Sequence, residues 1–341
     1  MRNPNQDYQI NSSFIGIDGI KDKNVGRKIY LMDYLPRSVN YLYAGLKHTL
    51  DKFQNYKRLK KLFREKVGYD LNLDAPESFN EKTIWKKLND RNPLLTVTAD
   101  KYLVRSYIQK LLGEEEAEKI LVPLYHVTSD PSDIDLDKLP SEFVIKPNHG
   151  SMMHLFITDK HKIKKEQLVK KCREWLKVNF GFYNHEWAYI NIKRKILIEK
   201  LLKDDSGLPR DYRFYCFHGT CKHIRISNNR FGDNEGSIFM DTNWKISQVR
   251  NPGYKRAETA FEKPPNADEM IPLAEKLSKD FDSVRVDLYN CDGRIYFSEL
   301  THYRGGGFAR FEPESFDFEM GAYWKLKPFY WLENQPPERA R

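Results

Sequence analysis

The sequence predicts an α+β fold in which helices come first and short strands mixed with helices follow. Three observations support this prediction. Apolar residues recur at helical spacing before residue 113, short apolar or alternating runs begin at residue 143, and one later helix interrupts those runs. At 341 residues, the chain is long enough to form two or three subdomains.

Two amphipathic helices are predicted after a polar leader of about 30 residues, which we expect to be loosely held. The residues at helical spacing are Leu42, Leu46, Leu50 and Phe53 for the first helix and Leu59, Leu62, Phe63 and Val67 for the second. A third helix is predicted to follow Ser78, because Ser78 and Glu81 match a capping box. A further helix opens near Asp100-Lys101, and the later one follows the candidate cap Asn266.

The second of these helices is strongly basic. Its cationic side chains are Lys57, Arg58, Lys60, Lys61, Arg64 and Lys66. Such a run is typical of a solvated helix face, and it is also what docking on an anionic lipid or polymer requires. Both interpretations stay open from the sequence.

Five short strands are expected in the second part of the chain. They are Phe143 to Lys146, Leu155 to Thr158, Lys195 to Leu201, Tyr212 to Phe217 and His223 to Ser227. The loop between the first two reads Pro-Asn-His-Gly-Ser and directly follows Lys146. It is either an ordinary hairpin with one solvated charge, or a loop of free backbone N–H groups that covers phosphate. It lacks the Gly-Lys-Ser/Thr of a Walker loop.

A late hairpin carries two carboxylates, Asp287 and Glu299. Residues 283–289 alternate strictly, so Asp287 faces away from the core. A two-residue Asp-Gly turn would send Glu299 to the opposite face, whereas a three-residue Cys-Asp-Gly turn would pair Asp287 with Phe297 and keep Glu299 as a diagonal neighbour. We therefore predict the three-residue turn. The two carboxylates would then be able to share Mg²⁺ ions, although an exposed strand residue and an ion-paired glutamate are the alternative.

Composition excludes several classes of protein. The formal charge of +9 indicates an anionic partner, yet no zinc-finger, RNP or helix-turn-helix pattern is present, so we expect no sequence-specific nucleic-acid binding. The four cysteines show no metal-ligand spacing and are interpreted as reduced packing residues. No apolar run is long enough for a membrane span or forms a signal-peptide core. We expect a cytoplasmic protein, with peripheral contact to the inner face of a bacterial membrane as the one further possibility.

Several motifs occur in one order along the chain. They are Asn80-Glu-Lys-Thr-Ile-Trp, Asp100-Lys101, Phe143-Val-Ile-Lys-Pro-Asn-His-Gly, Ile196-Leu-Ile-Glu-Lys, Asp211-Tyr-Arg-Phe-Tyr-Cys-Phe-His-Gly, Val284-Arg-Val-Asp-Leu-Tyr and Glu299-Leu-Thr. Together they resemble the ATP-grasp superfamily, and more narrowly its TupA-like branch, which is named for a teichuronopeptide biosynthesis protein. The resemblance covers roughly residues 75 to 320.

The resemblance implies an ATP-grasp fold, in which two α+β subdomains close on MgATP, preceded here by a mainly helical N-terminal region. The implied segments are residues 1–95 for that region, 96–195 for the first subdomain and 196–341 for the second. It also implies ATP and Mg²⁺ as cofactors.

The resemblance implies a role for each matching residue. Lys101 and Lys146 would neutralise the α- and β-phosphates, and the Gly150-Ser151 loop would close over the triphosphate. The remaining matches are Glu199, Lys200 and Leu202 at the adenine edge, Asp211 and Arg213 beside the phosphates, Arg230 near the transferring phosphoryl group, and Asp287 and Glu299 as metal ligands. Thr301 stands where relatives have Asn, so a third metal contact there would be weaker or water-mediated.

The activity implied is an ATP-dependent carboxylate–amine ligase that works through an acyl phosphate. The family context and the basic charge lead to the hypothesis that an amino acid is joined to a uronic acid of an acidic cell-surface polysaccharide. The segment Arg304-Gly-Gly-Gly-Phe308 is a candidate acceptor entrance or a plain surface turn. A kinase acting on a sugar hydroxyl and a non-catalytic polyanion-binding module are the alternatives.

Overall fold

The computed structural model describes residues 37–182, 184–204, 207–228, 236–252 and 263–333. The predicted leader, residues 1–30, and Arg230 lie outside these ranges. The helices are α1 (Arg37–Phe53), α2 (Lys57–Val67), α3 (Phe79–Asn89), α4 (Pro93–Ala99), α5 (Leu103–Leu112), α6 (Glu114–Ile120), α7 (Lys165–Lys177), α8 (Trp187–Ile190), α9 (Ala267–Ser278), α10 (Ser315–Ala322) and α11 (Tyr330–Glu333). The strands are β1 (Leu124–Thr128), β2 (Phe143–Pro147), β3 (Leu155–Ile157), β4 (Ile196–Glu199), β5 (Arg210–Phe217), β6 (Thr220–Asn228), β7 (Gly236–Met240), β8 (Ser283–Cys291) and β9 (Arg294–Thr301). The predicted order of helices followed by mixed strands and helices is confirmed.

The first sheet has four antiparallel strands in the order β1-β4-β2-β3. Strand β2 alternates, so Phe143 and Ile145 are buried against α7 while Lys146 lies on the opposite face. Glu199 of β4 pairs with Val144, which puts the Glu199 side chain on the same face as Lys146. The amphipathic pattern of β2 therefore places one cation and one carboxylate together, away from the core of this sheet.

The second sheet has five antiparallel strands in the order β7-β6-β5-β8-β9. One face packs against α9 in the largest apolar core, which contains Phe214, Val286 and Leu288. The residues that alternate with these project from the other face. Because β5 and β8 are central strands, their polar side chains on that face are buried, as Asp211, Arg213 and Asp287 show.

The late hairpin differs from the predicted one in its turn. Cys291 pairs with Arg294, so the turn has two residues, Asp292 and Gly293, and both have positive φ as in a type I′ turn. A β-bulge at Ser298 then shifts the register by one residue, and Asp287 pairs directly with Glu299. The prediction of a three-residue turn and a diagonal pair was wrong. The bulge restores the shared face that the shorter turn would otherwise have lost.

Helix α3 is tied to the C-terminal part of the chain. The predicted capping box at its start is present: Ser78 accepts from the Glu81 N–H and the Glu81 side chain accepts from the Ser78 N–H. The buried Lys86 ammonium pairs with Asp90 at 2.8 Å and also with Asp282 beneath the second sheet. These buried pairs fix α3 against strand β8, because a buried charge is stable only when it is paired.

Helices α1 and α2 form where the sequence predicts them, with different burial. Phe63 and Val67 of α2 are buried, whereas Leu42, Leu46 and Phe53 of α1 are 66%, 56% and 92% exposed. Within the described residues, no helix has the length and apolar character that crossing a bilayer requires.

Two further expectations have separate outcomes. Asn266 directly precedes α9, but its side chain makes no capping bond: it accepts from Asn290 and donates to the Gly293 carbonyl. The proposed division of the chain at residues 95 and 195 stays a prediction. That division assigns β4 to the last segment, although β4 pairs within the four-stranded sheet.

Candidate active site

A cleft opens between the polar faces of the two sheets. Strands β2, β4, β5 and β9 all contribute to its walls, and nine of the residues singled out in the sequence line it: Lys101, Lys146, Gly150, Ser151, Glu199, Lys200, Leu202, Asp211 and Glu299. Lys146 Nζ forms an ion pair with Glu199 Oε2 at 2.5 Å. Burial lowers the pKa of Lys146, but the Glu199 carboxylate outweighs this effect and the pKa is raised. Lys146 is thus a fixed positive charge in the cleft.

Lys101 connects the loop after β2 to the opposite sheet. Its Nζ donates to the Gly150 carbonyl at 2.8 Å and lies 3.5 Å from Glu299 Oε2. Gly150 has φ of +87°, and a Cβ there would stand 2.6 Å from the ring of Phe180. Position 150 therefore requires glycine for both its backbone conformation and its packing.

Part of the cleft lining is apolar. Val104, Val122, Leu202 and Phe297 contribute to it. The backbone N–H of Lys200 is bonded to the Pro123 carbonyl at 2.9 Å and is therefore not free to bind a ligand. An apolar wall with a few polar side chains, here those of Glu199 and Lys200, is typical of a small-molecule site.

A row of charged side chains crosses the second sheet at the cleft. The strand registers pair Arg225 with Arg213, Arg213 with Asp287, and Asp287 with Glu299. Arg213 Nη2 lies 2.5 Å from Asp211 Oδ2, and its Nε lies 3.9 Å from Asp287 Oδ2. The alternation of four strands thus produces one line of two cations followed by two carboxylates.

Arg285 chelates the first of these carboxylates. Its Nε and Nη2 each lie 2.6 Å from an Asp287 oxygen, and Nη2 also donates to Thr301 Oγ1 at 3.0 Å. Thr301 Oγ1 donates to Glu299 Oε1 at 3.2 Å. Burial raises the pKa of Asp287 to about 6, because the nearby carboxylates add to the burial effect and Arg285 only partly offsets it. Asp287 and Glu299 can therefore both remain ionised only if positive charge lies close to them.

The donor chemistry of this pair fits Mg²⁺. Asp287 and Glu299 present carboxylate oxygens from adjacent strands on one face, and Mg²⁺ binds through one or two carboxylates with water and phosphate completing its shell. In the described part of the chain there is no group of three or more acidic, His or Cys side chains arranged to hold a metal. Thr301 lies in this network as a hydrogen-bonding partner of Glu299.

The sequence prediction missed two buried groups at this site. The alternation of residues 283–289 puts Arg285 on the same face as Asp287, yet it predicts no role for Arg285, and no sequence pattern selects Tyr215. The Tyr215 side chain is 1% exposed. Its burial raises the pKa, but the positive charges of Arg304, Arg285, Arg225 and Arg213, in that order, outweigh burial and the pKa is lowered. The alternation that selects Asp287 also selects Arg285, so that signal was available in the sequence.

Two antiparallel sheets with helices face each other across this cleft, and each sheet contributes both cations and carboxylates to it or beside it, which is the arrangement of an ATP-grasp protein. The chain belongs to the TupA-like ATP-grasp family, whose model matches residues 81–325. This match confirms the resemblance seen in the motifs and the predicted fold. No curated protein matches the sequence.

Solved structures with a similar arrangement are ATP-grasp ligases. A D-alanine–D-alanine ligase from Bacillus anthracis complexed with ATP is 18% identical, with a TM-score of 0.36 over 60% of this chain and 55% of that chain. The ligase PsnB complexed with minimal precursor is 13% identical, with a TM-score of 0.35 over 64% and 56%. D-Alanine–D-alanine ligase from Helicobacter pylori is 13% identical, with a TM-score of 0.37 over 67% and 62%. The chain thus spans less than two thirds of these structures, and the family match rather than these superpositions identifies the fold.

Proposed function

We propose that this protein is an ATP-dependent ligase that joins a carboxylate to an amine through an acyl phosphate. The observation that carries the proposal is that Lys101, Lys146 and Glu299 line one cleft, and that Asp287 pairs directly with Glu299 on the neighbouring strand. This charge distribution suits a magnesium-bound triphosphate, because phosphoryl transfer depends mainly on alignment and on neutralising charge.

Each residue has a proposed task. Lys101 and Lys146 hold the α- and β-phosphates, and the Gly150-Ser151 loop covers the triphosphate. Glu199, Lys200 and Leu202 bind the adenine edge, while Asp211 and Arg213 lie beside the phosphates, with Arg230 proposed near the transferred group. Asp287 and Glu299 hold Mg²⁺, with Thr301 as a weak or water-mediated third contact, and the metal supplies charge neutralisation of the phosphates.

The proposed acid is a uronic acid of an acidic cell-surface polysaccharide, and the proposed amine is an amino acid. The net charge of +9 favours an acidic acceptor. A kinase on the same site remains the second enzymatic hypothesis. A non-catalytic module is disfavoured, because a site that bound no nucleotide would have no physical need to hold Lys101, Lys146 and Glu299 together in one cleft.

Product analysis tests the proposal. The purified chain is incubated with MgATP, a hexuronate and a panel of amino acids, and ADP and free phosphate are followed. A ligase releases phosphate only when both the acid and the amine are present. A phosphorylated sugar with no free phosphate indicates the kinase, and binding of polyanion with no nucleotide turnover indicates the module.

We also propose that α1 and α2 dock on an anionic membrane. Leu42, Leu46 and Leu50 lie at helical spacing on α1 and are 66%, 56% and 59% exposed. The neighbouring α2 presents exposed basic residues, including Arg58 and Lys61. An apolar stripe beside a cationic face is the combination that inserts into the headgroup region of anionic lipid.

A further inference from the structure

A second polar row lies beside the candidate metal carboxylates on the cleft face of the five-stranded sheet. Tyr215 is paired with Arg285 across β5 and β8, and Arg285 in turn with Thr301 across β8 and β9. The Tyr215 side chain is buried, and its hydroxyl has no hydrogen-bond partner among the described residues. A buried hydroxyl without a partner is unfavourable, so this position calls for a polar group from a ligand.

Arg304 adds a buried cation to this row. It is 4% exposed, and its Nη2 donates to Asn251 Oδ1 at 2.6 Å. Its Nη1 has no hydrogen-bond partner among the residues that the structure describes, although burial raises the pKa of Asp317 and the Arg304 charge partly offsets that effect. A buried N–H donor without an acceptor is unfavourable, so this nitrogen is suited to bind an anionic group of a ligand.

A series of aromatic ring contacts connects Arg304 to Tyr215. The Arg304 guanidinium lies over the ring of Phe311 at 4.6 Å. Phe311 packs against Phe239 at 6.1 Å, and Phe239 packs against Tyr215 at 6.0 Å. The rings and the two polar side chains are all buried, and a hydrogen bond is electrostatically stronger in such a low-dielectric environment than in water.

We propose that Arg304 and Tyr215 bind the carboxylate of the acid substrate, next to the proposed Mg²⁺ ligands Asp287 and Glu299. The inference rests on the proposed function and identifies the residues that select an ionised uronate. Arg304 opens the Arg304-Gly-Gly-Gly-Phe308 segment that the sequence singles out as a candidate acceptor entrance, and its side chain is buried there. It directly follows β9, which carries Glu299.

The chemistry balances with the groups named. One carboxylate oxygen attacks the γ-phosphorus of ATP, so an oxygen–phosphorus bond forms while the bond from that phosphorus to the β,γ-bridging oxygen breaks. ADP leaves with the electron pair of the broken bond. The second carboxylate oxygen accepts hydrogen bonds from Arg304 and Tyr215, which fix the angle of attack and offset charge repulsion between two anions. An amine then attacks the acyl carbon, inorganic phosphate leaves, and the amine proton passes to solvent.

The experiment measures acyl phosphate formation with hydroxylamine as the amine. Wild-type protein and the variants Arg304→Met, Arg304→Lys and Tyr215→Phe are assayed with MgATP and D-glucuronate or D-galacturonate. We expect Arg304→Met to raise KM for the uronate about 10- to 100-fold while KM for ATP stays within about twofold, since a hydrogen bond to a charged group carries that much discrimination. Arg304→Lys keeps the positive charge and loses the two-pronged guanidinium, so its KM for the uronate should lie between those of the wild type and Arg304→Met. Tyr215→Phe keeps the ring and should raise the same KM about fivefold or more.

Controls separate this inference from folding and from the proposed function. Arg310→Met alters an exposed arginine of the same segment and should change neither KM. Binding of MgADP, followed by thermal unfolding, should be unchanged in every variant. Failure of the wild type to bind MgADP contradicts the proposed function itself. Loss of MgADP binding in the Arg304 variants alone indicates that they misfold. In that case the near-isosteric Tyr215→Phe tests the inference.

A binding experiment tests the inference if the protein shows no turnover. With MgADP present, D-glucuronate should raise the thermal midpoint of the wild type, D-glucose should not, and Arg304→Met should abolish the rise. No effect of either uronate on the wild type in either arm overturns the inference. A change in KM for ATP instead of the uronate also overturns it, because Arg304 would then serve the nucleotide.

Discussion

Replacing Glu299 by Gln removes one negative charge from the carboxylate pair and changes the volume of the side chain very little. Glu299 lies opposite Asp287 and 3.5 Å from Lys101 Nζ. If Glu299 holds Mg²⁺, an amide oxygen leaves one carboxylate to neutralise the metal. We expect turnover to fall 10²- to 10³-fold, about 3 to 4 kcal/mol in the barrier, by analogy with the loss of one preorganised charge-stabilising group. The Mg²⁺ concentration at half-maximal rate should also rise.

Stability should hardly change in this variant. The ion pairs lost are with Lys101 at 3.5 Å and with Arg285 at 3.6 Å, and the Glu299 side chain is 27% exposed. Pairs of this length and exposure contribute up to about 1 kcal/mol each. Their loss is partly offset, because Glu299 repels Asp287 and contributes to its raised pKa. The free energy of unfolding should therefore stay within about 1 kcal/mol of the wild type, which corresponds to a few degrees in Tm.

The assay compares phosphate release, Mg²⁺ dependence and Tm in Glu299→Gln and in a matched control. Glu142→Gln is suitable, because Glu142 pairs with Lys203 at 2.5 Å through half-exposed side chains outside the residues that line the cleft. The control should keep full activity. A Glu299→Gln variant that retains more than a tenth of wild-type turnover with unchanged Mg²⁺ dependence would refute the metal assignment.

Three further predictions address other parts of the molecule. Gly150→Ala forces a Cβ to within 2.6 Å of the Phe180 ring at a φ of +87°, so KM for ATP should rise tenfold or more; an unchanged KM would mean that the loop does not contact the nucleotide. Burial lowers the pKa of Lys87 to about 8, so the unfolded chain binds more protons between pH 8 and 10.5 and the contribution of Lys87 to stability rises with pH across that window. The free energy of unfolding, measured in denaturant at pH 7 and pH 10, should rise by about 3 kcal/mol in the wild type, and Lys87→Met should remove this rise. A variant with the same pH dependence as the wild type would contradict the prediction. Wild-type protein should sediment with phosphatidylglycerol vesicles and not with phosphatidylcholine vesicles, and a double replacement of Leu46 and Leu50 by Ser should weaken sedimentation at least tenfold; equal binding would exclude α1 as the docking face.

The hairpin shows which part of the site can be predicted from sequence. Strict alternation in β8 placed Asp287 on the polar face, and the need for a shared metal placed Glu299 beside it. The backbone that brings them together differs from the predicted one, because the hairpin has a two-residue turn and a bulge at Ser298 in place of a three-residue turn. A bulge adds one residue without a distinctive sequence pattern when the bulged residue is not glycine. Period-two reasoning can therefore identify the pair without identifying the backbone that forms it.

Burial was the property that the sequence did not reveal. Arg304 precedes three glycines in a segment that reads as a surface turn, yet its guanidinium is enclosed by Phe311 and Asn251. Phe311 follows Arg304 in the chain, whereas Asn251 belongs to a segment 53 residues earlier. Contacts between distant segments of this kind depend on the complete sheet order, and no local pattern encodes them.

Helix α3 is hydrogen-bonded to the segment that follows Arg304. Asn80 Nδ2 donates to the Ala309 carbonyl at 2.8 Å, and the Ala309 N–H donates back to Asn80 Oδ1 at 3.2 Å. Lys87 lies about two turns further along the same face of α3. Its Nζ donates to the Gly306 carbonyl at 2.6 Å. Helix α3 therefore fixes both sides of the glycine turn that follows Arg304, and glycines in the left-handed region would otherwise leave this turn without a defined path. A helix with no side chain among the residues that line the cleft thus determines where the proposed carboxylate site lies relative to Asp287.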